Sequence, residues 1–347
     1  CLAGDRRSVA RRTTLVLLLL LLCTAWLSMT VGAAGVSPLR ALGDLVQGRS
    51  LDARSRIVLW DIRLPRLVTG MLVGGALAVS GAILQGLFRN PLADPALVGV
   101  SAGASLGAIS SIVLGGLLPP ALGVILGIWL VPVAAFCGGW ASVMALYRLA
   151  TRGGRTLIAT MLLAGIALAA LASALSGLLI YFADDNQLRD LTFWGMGSLA
   201  GASWAKVMTA APLILITLLA APVLGRGLNA LALGEPAAAH LGVAVQRLKR
   251  LAILCVACGT GAAVAISGGI GFVGIVVPHL LRLVTGPDHR HLLVNSALLG
   301  ASLLLLADVV ARSIVAPAEL PIGIVTAIIG GPFFMWILLQ RRGLVEM

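Results

Sequence analysis

Long stretches of the chain carry few or no charged side chains, and these apolar runs set its architecture. Ten stand out, near residues 14–35, 67–88, 97–117, 121–149, 156–182, 204–224, 249–267, 270–285, 292–315 and 322–340. A helix rises 1.5 Å per residue, so about 20 apolar residues cross a hydrocarbon core of ~30 Å. The pattern therefore predicts an all-α integral membrane fold of ten transmembrane helices, one membrane domain over 1–347, with both termini on one side. The second run is crowded with Gly70, Gly74, Gly75, Ala76, Ala78, Ser80, Gly81, Ala82 and Gly86. In a bilayer such residues let neighbouring helices approach closely, which makes this run the element the others are expected to surround. Beyond it, Asn90, Pro91, Asp94 and Pro95 forbid a continued helix and predict a rigid turn outside the lipid, with Asn90 capping it through its side chain.

Composition agrees with this reading. Of 347 residues 59% are hydrophobic and only 11% charged, far below the soluble norm of roughly a quarter. The net charge of +12 is scattered between apolar runs, which excludes a nucleic-acid surface and points to positive-inside loop bias. Arg148, Arg152, Arg155, Arg226, Arg247, Lys249, Arg250, Arg290, Arg341 and Arg342 fall on the side of Arg6, Arg7, Arg11 and Arg12. That side is expected to be cytoplasmic, with the first run retained as a helix. One loop disagrees: residues 36–66 lie on the other side yet hold Arg40, Arg49, Arg54, Arg56, Arg63 and Arg66. Charge kept there against the bias is expected to serve a partner. The five cysteines lie mostly in apolar segments and read as small packing residues rather than a disulfide framework or a metal set.

No phosphate-cradling loop, paired carboxylates or Ser/His/Asp set is present, so the chain is not expected to be an enzyme or to bind a cofactor or metal itself. His240, His279, His289 and His291 sit in loops or a general motif and are not read as ligands. The loop over 228–249 is more informative. Glu235 and Pro236 start a short helix, and Gly242 permits a break before a second helix at Val243, together a compact knob. Beyond the fifth run come Asp184, Asp185, Arg189 and Asp190, with a short helix expected over Gln187–Leu199. Arg189 is either a cation at the mouth of a pathway or half of a local Arg–Asp pair. Ser173, Ser176 and Gly177, at helical spacing, read as a mildly polar stripe suited to passage or to helix packing. Arg312, near the outer end of the ninth run, either faces outward with Arg63 and Arg66 or pairs internally with Asp308 or Glu319.

Short motifs stand in order along the chain: Arg63-Leu-Pro-Arg66, the segment from Gly81 to Gln85, Asn90 to Ser101 (NPLADPALVGVS), Gly271 to Arg282 (GFVGIVVPHLLR), Asp288 to Arg290 and Ala318 to Gly323 (AELPIG). Together they resemble the motifs of the FecCD family, the permeases of bacterial ABC importers for iron-siderophores, haem and cobalamin. The resemblance implies a type II importer permease, working as a homodimer in the bacterial inner membrane around a central pathway. It implies two ATP-binding cassette subunits that hold ATP and Mg, and one periplasmic binding protein. Arg63, Arg66 and Arg312 would dock that protein, and Glu235, Ala239, His240, Leu241 and Gly242 would couple to the ATPase. Ser173, Ser176, Gly177 and Arg189 would line the pathway. The wording RNPLADPALVGVS is most similar to haem-importing members, with siderophore and cobalamin permeases as alternatives. An ion-coupled secondary transporter is the competing class, and only Asp308 comes near the buried acid it would need.

Overall fold

A computed structural model describes residues 7–32, 34–50, 52–95, 99–119, 121, 126–153 and 155–342. The helices are α1 (Arg7–Thr30), α2 (Pro38–Val46), α3 (Ala53–Phe88), α4 (Val100–Leu114), α5 (Leu130–Ala150), α6 (Ile158–Tyr181) and α7 (Asp185–Gly195). They continue as α8 (Trp204–Ala232), α9 (Glu235–His240), α10 (Val245–Ser267), α11 (Val273–Thr285), α12 (His289–Ile314) and α13 (Ile322–Arg342). A two-residue hairpin, Thr151–Arg152 with Arg155–Thr156, joins α5 to α6. Among the described residues eight helices are long and apolar enough to cross a membrane, and Val273–Thr285 and Ile322–Trp336 are shorter apolar helices. These ten segments correspond to the ten expected runs. At 13 residues α11 measures only about 20 Å and stops short of a full crossing.

The central position of α3 follows from its small residues. Of its apolar stretch 83% is buried, against 17% for α1, α5 and α6. It packs on α12, α10, α8 and α11. A Cβ on Gly74 would strike the Gly300 carbonyl of α12, and one on Gly81 would strike the Gly274 carbonyl of α11. The bare backbones are what let these helices meet. Leu72, Val73, Leu77, Leu292 and Leu304 fill one buried cluster, and Ile83, Leu84, Leu87, Leu228 and Ile253 another.

Several boundaries differ from expectation. The turn of π-helix over Ile57–Arg63 lengthens α3 to 36 residues, more than a membrane needs. The expected starts at 97 and within 121–125 lie partly outside the described residues. The short helix after α6 starts at Asp185 rather than Gln187, because Asp184 and Gln187 form a reciprocal capping box. It ends at Gly195, before the left-handed Gly197. The second small helix expected at Val243 is instead the first turn of α10, continuous from Val245 to Ser267.

Candidate functional site

At one end of the bundle α9 forms a short projection. Pro236 sits in its first turn, where a missing N–H costs nothing. Its other end is a Schellman closure, in which Gly242 N donates to Ala239 O (2.9 Å) and Val243 N donates to Ala238 O (3.0 Å). Gly242 holds φ +80°, with open space around it. Ala238 is fully buried, whereas Ala239, His240, Leu241 and Gly242 are exposed, Leu241 at 65%. Leu233 beside it is 70% exposed. The projection stands on a buried base. Lys249, 1% exposed, donates to Glu235 Oε1 and to the Thr156 carbonyl, both at 2.7 Å. Gln246 Oε1 accepts from Thr156 N at 3.0 Å, which ties the base to the α5–α6 hairpin. Glu235 therefore belongs to the support, and Ala239, His240, Leu241 and Gly242 form the exposed face.

The turn after α3 ends at the same end of the bundle. Arg89 closes the helix in the left-handed region, Asn90 Oδ1 accepts from Leu92 N (3.0 Å), and Ala93 N donates to Asn90 O (3.1 Å). Pro95 is buried, and Asp94 and Pro95 lie against Gly274 in the first turn of α11. Gln85 bridges the motifs: its Nε2 donates to Gly274 O at 3.1 Å and its Oε1 accepts from Arg282 Nη1. Close by, Asp288 caps α12, accepting from Arg290 and, at 2.6 Å, from Asn229 Nδ2, while His289 Nδ1 lies 2.9 Å from Asn229 Oδ1. Burial works to raise the Asp288 carboxyl, but the hydrogen bonds from Arg290 and Asn229 outweigh it and hold the group below the usual carboxylate range.

At the opposite end the expected docking arginines are not on the surface. Arg63, Arg66 and Arg312 are 4%, 8% and 9% exposed. Arg63 Nη1 donates to the Met29 and Val36 carbonyls (2.5 and 3.0 Å). Arg66 grips Asp308 with Nε and Nη2 (2.8–3.1 Å) and Glu319 with Nη1 (2.8 Å). Arg312 Nη2 donates to Ser28 O at 2.7 Å, and its Nε lies 3.5 Å from Asp308. The three are internal ties joining α1, α3, α12 and the loop before α13. The expectation of free outward charge is thus corrected: Arg66 and Arg312 share the Asp308 carboxylate of the same chain, and Arg63 is held by backbone carbonyls. Among the described residues of that end, Arg40, Arg49, Arg54, Arg56 and Arg189 are exposed, with Arg49 3.6 Å from Asp44.

The expected pathway stripe divides. Ser173 and Gly177 are exposed on α6, but Ser176 turns inward at 8% exposure. Arg189 is exposed on α7 and makes no ion pair among the described residues. A cavity of about 700 Å³ lies between α4, α5 and α6, lined by Gly103, Gly107, Ser110, Ser142 and Leu175. Single serines inside apolar runs gave no signal for it in sequence.

The signature of the FecCD transport family spans residues 18–340. The chain belongs to that family. The FecCD chain is 47% identical over 326 residues to the hemin transport system permease protein HmuU of Yersinia pestis, covering 94% of this chain and 95% of that protein. It is 41% identical over 346 residues to the vitamin B12 import system permease protein BtuC of Klebsiella pneumoniae subsp. pneumoniae, covering 98% and 96%. It resembles the solved structure of a metal-chelate type ABC transporter in an inward-facing conformation, with TM-score 0.83 and 33% identity over 95% of this chain and 99% of that one. PsaBC of Streptococcus pneumoniae shares the fold at TM-score 0.55 and 17% identity. The FecCD chain is thus a multi-pass permease of a FecCD/BtuC-type ABC importer, with the type II fold. The paired ends of α3 and α11, through Gln85 and Arg282, link two of its family motifs.

Proposed function

We propose that this permease moves an iron compound, haem first, from a periplasmic binding protein to the cytoplasm across the inner membrane, both its termini being cytoplasmic. Two copies enclose the pathway. Each seats one ATPase on the α9 projection, and ATP with Mg is held and hydrolysed on that partner, so this chain contributes shape and coupling rather than catalysis. The observation that carries the coupling role is the exposed run Ala239–Gly242 on a base fixed by Lys249 and Glu235. A small exposed face on a rigid support transmits a push without bending. The outer end receives the binding protein, with Arg40, Arg54 and Arg56 as the available cations and Arg189 facing the pathway mouth.

Haem is favoured by the higher identity to the hemin permease, 47% against 41% and 44% for two cobalamin permeases. Ferric siderophores and cobalamin are the alternatives. An ion-coupled mechanism is disfavoured because Asp308 is already engaged by Arg66 and Arg312 of the same chain. The test is ATPase stimulation of the reconstituted complex by its binding protein loaded with haem, a ferric siderophore or cobalamin. Haem is expected to stimulate most; stimulation by cobalamin alone overturns the substrate, and ligand uptake without the ATPase overturns the importer reading.

A further inference from the structure

At the end opposite α9, a chamber of about 700 Å³ lies among α7 and the adjoining ends of α5, α8 and α10, lined by Asp190, Trp194, Ser198, Ser203, Lys206 and Ser267. Its lining is the most polar of the cavities described. Ser198 Oγ accepts from Ala200 N (3.1 Å) and Ser203 Oγ from Lys206 N (3.4 Å), so both hydroxyls spend an acceptor position on backbone and keep their protons to donate. The Lys206 ammonium lies beside Gly201 and has no hydrogen-bond or ion-pair partner among the described residues. Lys206, Ser198 and Ser203 thus offer donors to one chamber. Asp190, which also makes no ion pair among the described residues, stands on the same wall.

The chamber does not close at its membrane side. Pro132, Ala265 and Ile266 also line a second cavity of about 320 Å³, whose other walls are Val133, Phe136, Thr209 and Leu213. This groove is almost wholly apolar. It runs from Lys206 towards Leu213, about 10 Å deeper along α8, and it opens on exposed Val133 and Thr209. Trp129 stands at its mouth, near the depth where indoles favour the headgroup region. A polar head chamber rich in donors, continuous with an apolar slot along the membrane normal, has the shape and polarity of an amphiphile.

We propose that this site holds one membrane phospholipid, its phosphate on Lys206, Ser198 and Ser203 and one acyl chain in the slot. The placement of Asp190 suits a headgroup that carries an ammonium, as in phosphatidylethanolamine. A lysine at this depth needs either a counter-ion or water, and a bound phosphate supplies the first. The lipid would wedge α5 against α8 and α10 at the outer end of the bundle.

The test is native mass spectrometry of the full chain in mild detergent, titrated with phosphatidylethanolamine, with thermal melting as the folding control. One lipid should be retained per chain. Lys206→Met should weaken retention tenfold or more, Lys206→Arg should preserve it, and Thr209→Trp, which fills the slot from an exposed position, should abolish it. Millimolar inorganic phosphate should not displace the lipid, because it lacks the chain. Equal retention in Lys206→Met and Thr209→Trp, or in either one where the other fails to fold, overturns the site. So does haem or free phosphate binding at Lys206 while lipid does not, which would make the chamber a soluble-anion site.

Discussion

Lys249 and Glu235 meet at 2.7 Å, yet only the lysine is fully buried: its side chain is 1% exposed and the glutamate's 37%. The two ends of the pair are therefore not equivalent. Glu235→Ala leaves an ammonium inside the protein with only the Thr156 carbonyl, a loss of the order of 3 kcal/mol. Lys249→Met leaves a carboxylate that water reaches, at about 1 kcal/mol. Denaturation midpoints in detergent should show this asymmetry, and equal losses would mean the base of the projection is hydrated.

Gly242 has room for a side chain but not the backbone for one. At φ +80° a β-branched residue costs about 1–2 kcal/mol and relaxes by opening the Schellman closure. Gly242→Val should therefore leave the helix bundle folded and uncouple ATP hydrolysis from uptake, while Gly242→Asn should retain most coupling. Normal coupling in the valine variant would remove α9 from the transmission path.

Asp308 is the shared carboxylate of Arg66 and Arg312, so Asp308→Asn should destabilise by about 3–5 kcal/mol. Glu319→Gln, at a partly exposed partner, should cost no more than about 1 kcal/mol. The double change Arg63→Glu with Arg66→Glu should collapse folding rather than docking alone. Docking itself should respond to Arg40→Glu with Arg54→Glu and Arg56→Glu, at unchanged melting temperature and most visibly at low salt. Binding-protein affinity measured beside a melting curve separates the two effects.

Gly74 and Gly300 test the close approach of α3 and α12. Gly74→Val should abolish folded expression, because the clash is with backbone and cannot be relieved by a side-chain rotation. Gly116→Ala, with nothing within 4 Å, should be neutral. Size-exclusion profiles of the two variants check both.

Acid should loosen the cap of α12. The Asp288 carboxyl lies below its ordinary range in the folded chain, so its contribution to stability is complete above the unfolded value near 4 and is lost as pH falls through the folded one. Asp288→Asn should lower stability at neutral pH and flatten that part of the acid limb, as read by melting temperature across pH 2–6.

Hydropathy located the long helices because a bilayer demands unbroken apolar length, a signal carried by every residue in the run. Glu235–Pro236 and Gly242 were legible for another reason: a helix start and a left-handed stop are local chemistry. Arg63 and Arg66 were expected to face outward because charge is visible in a sequence and its distant partner is not, whereas the pair of Arg312 with Asp308, one helical turn apart, was among the readings the sequence offered. Arg66 and Asp308 stand 242 residues apart. The short α2 was missed as well, since exposed Leu39, Leu42 and Val46 break no polar loop long enough to register. Ser176 illustrates the remaining gap: its spacing puts it near Ser173 and Gly177, but packing on neighbouring helices decides which way it faces.

The distance between Arg66 and Asp308 also sets a problem in time. Translation at roughly 5–20 residues per second separates them by on the order of 10–50 s. During that interval α3 has left the ribosome while α10, α11 and α12, which cover it, have not yet been made. A glycine-lined helix with an unneutralised guanidinium in its first half is a poor lodger in lipid. The nascent chain is expected to stay sheltered at the insertion machinery until its last third arrives, so truncations that end before Asp308 should be cleared by quality-control proteases rather than accumulate as partial bundles.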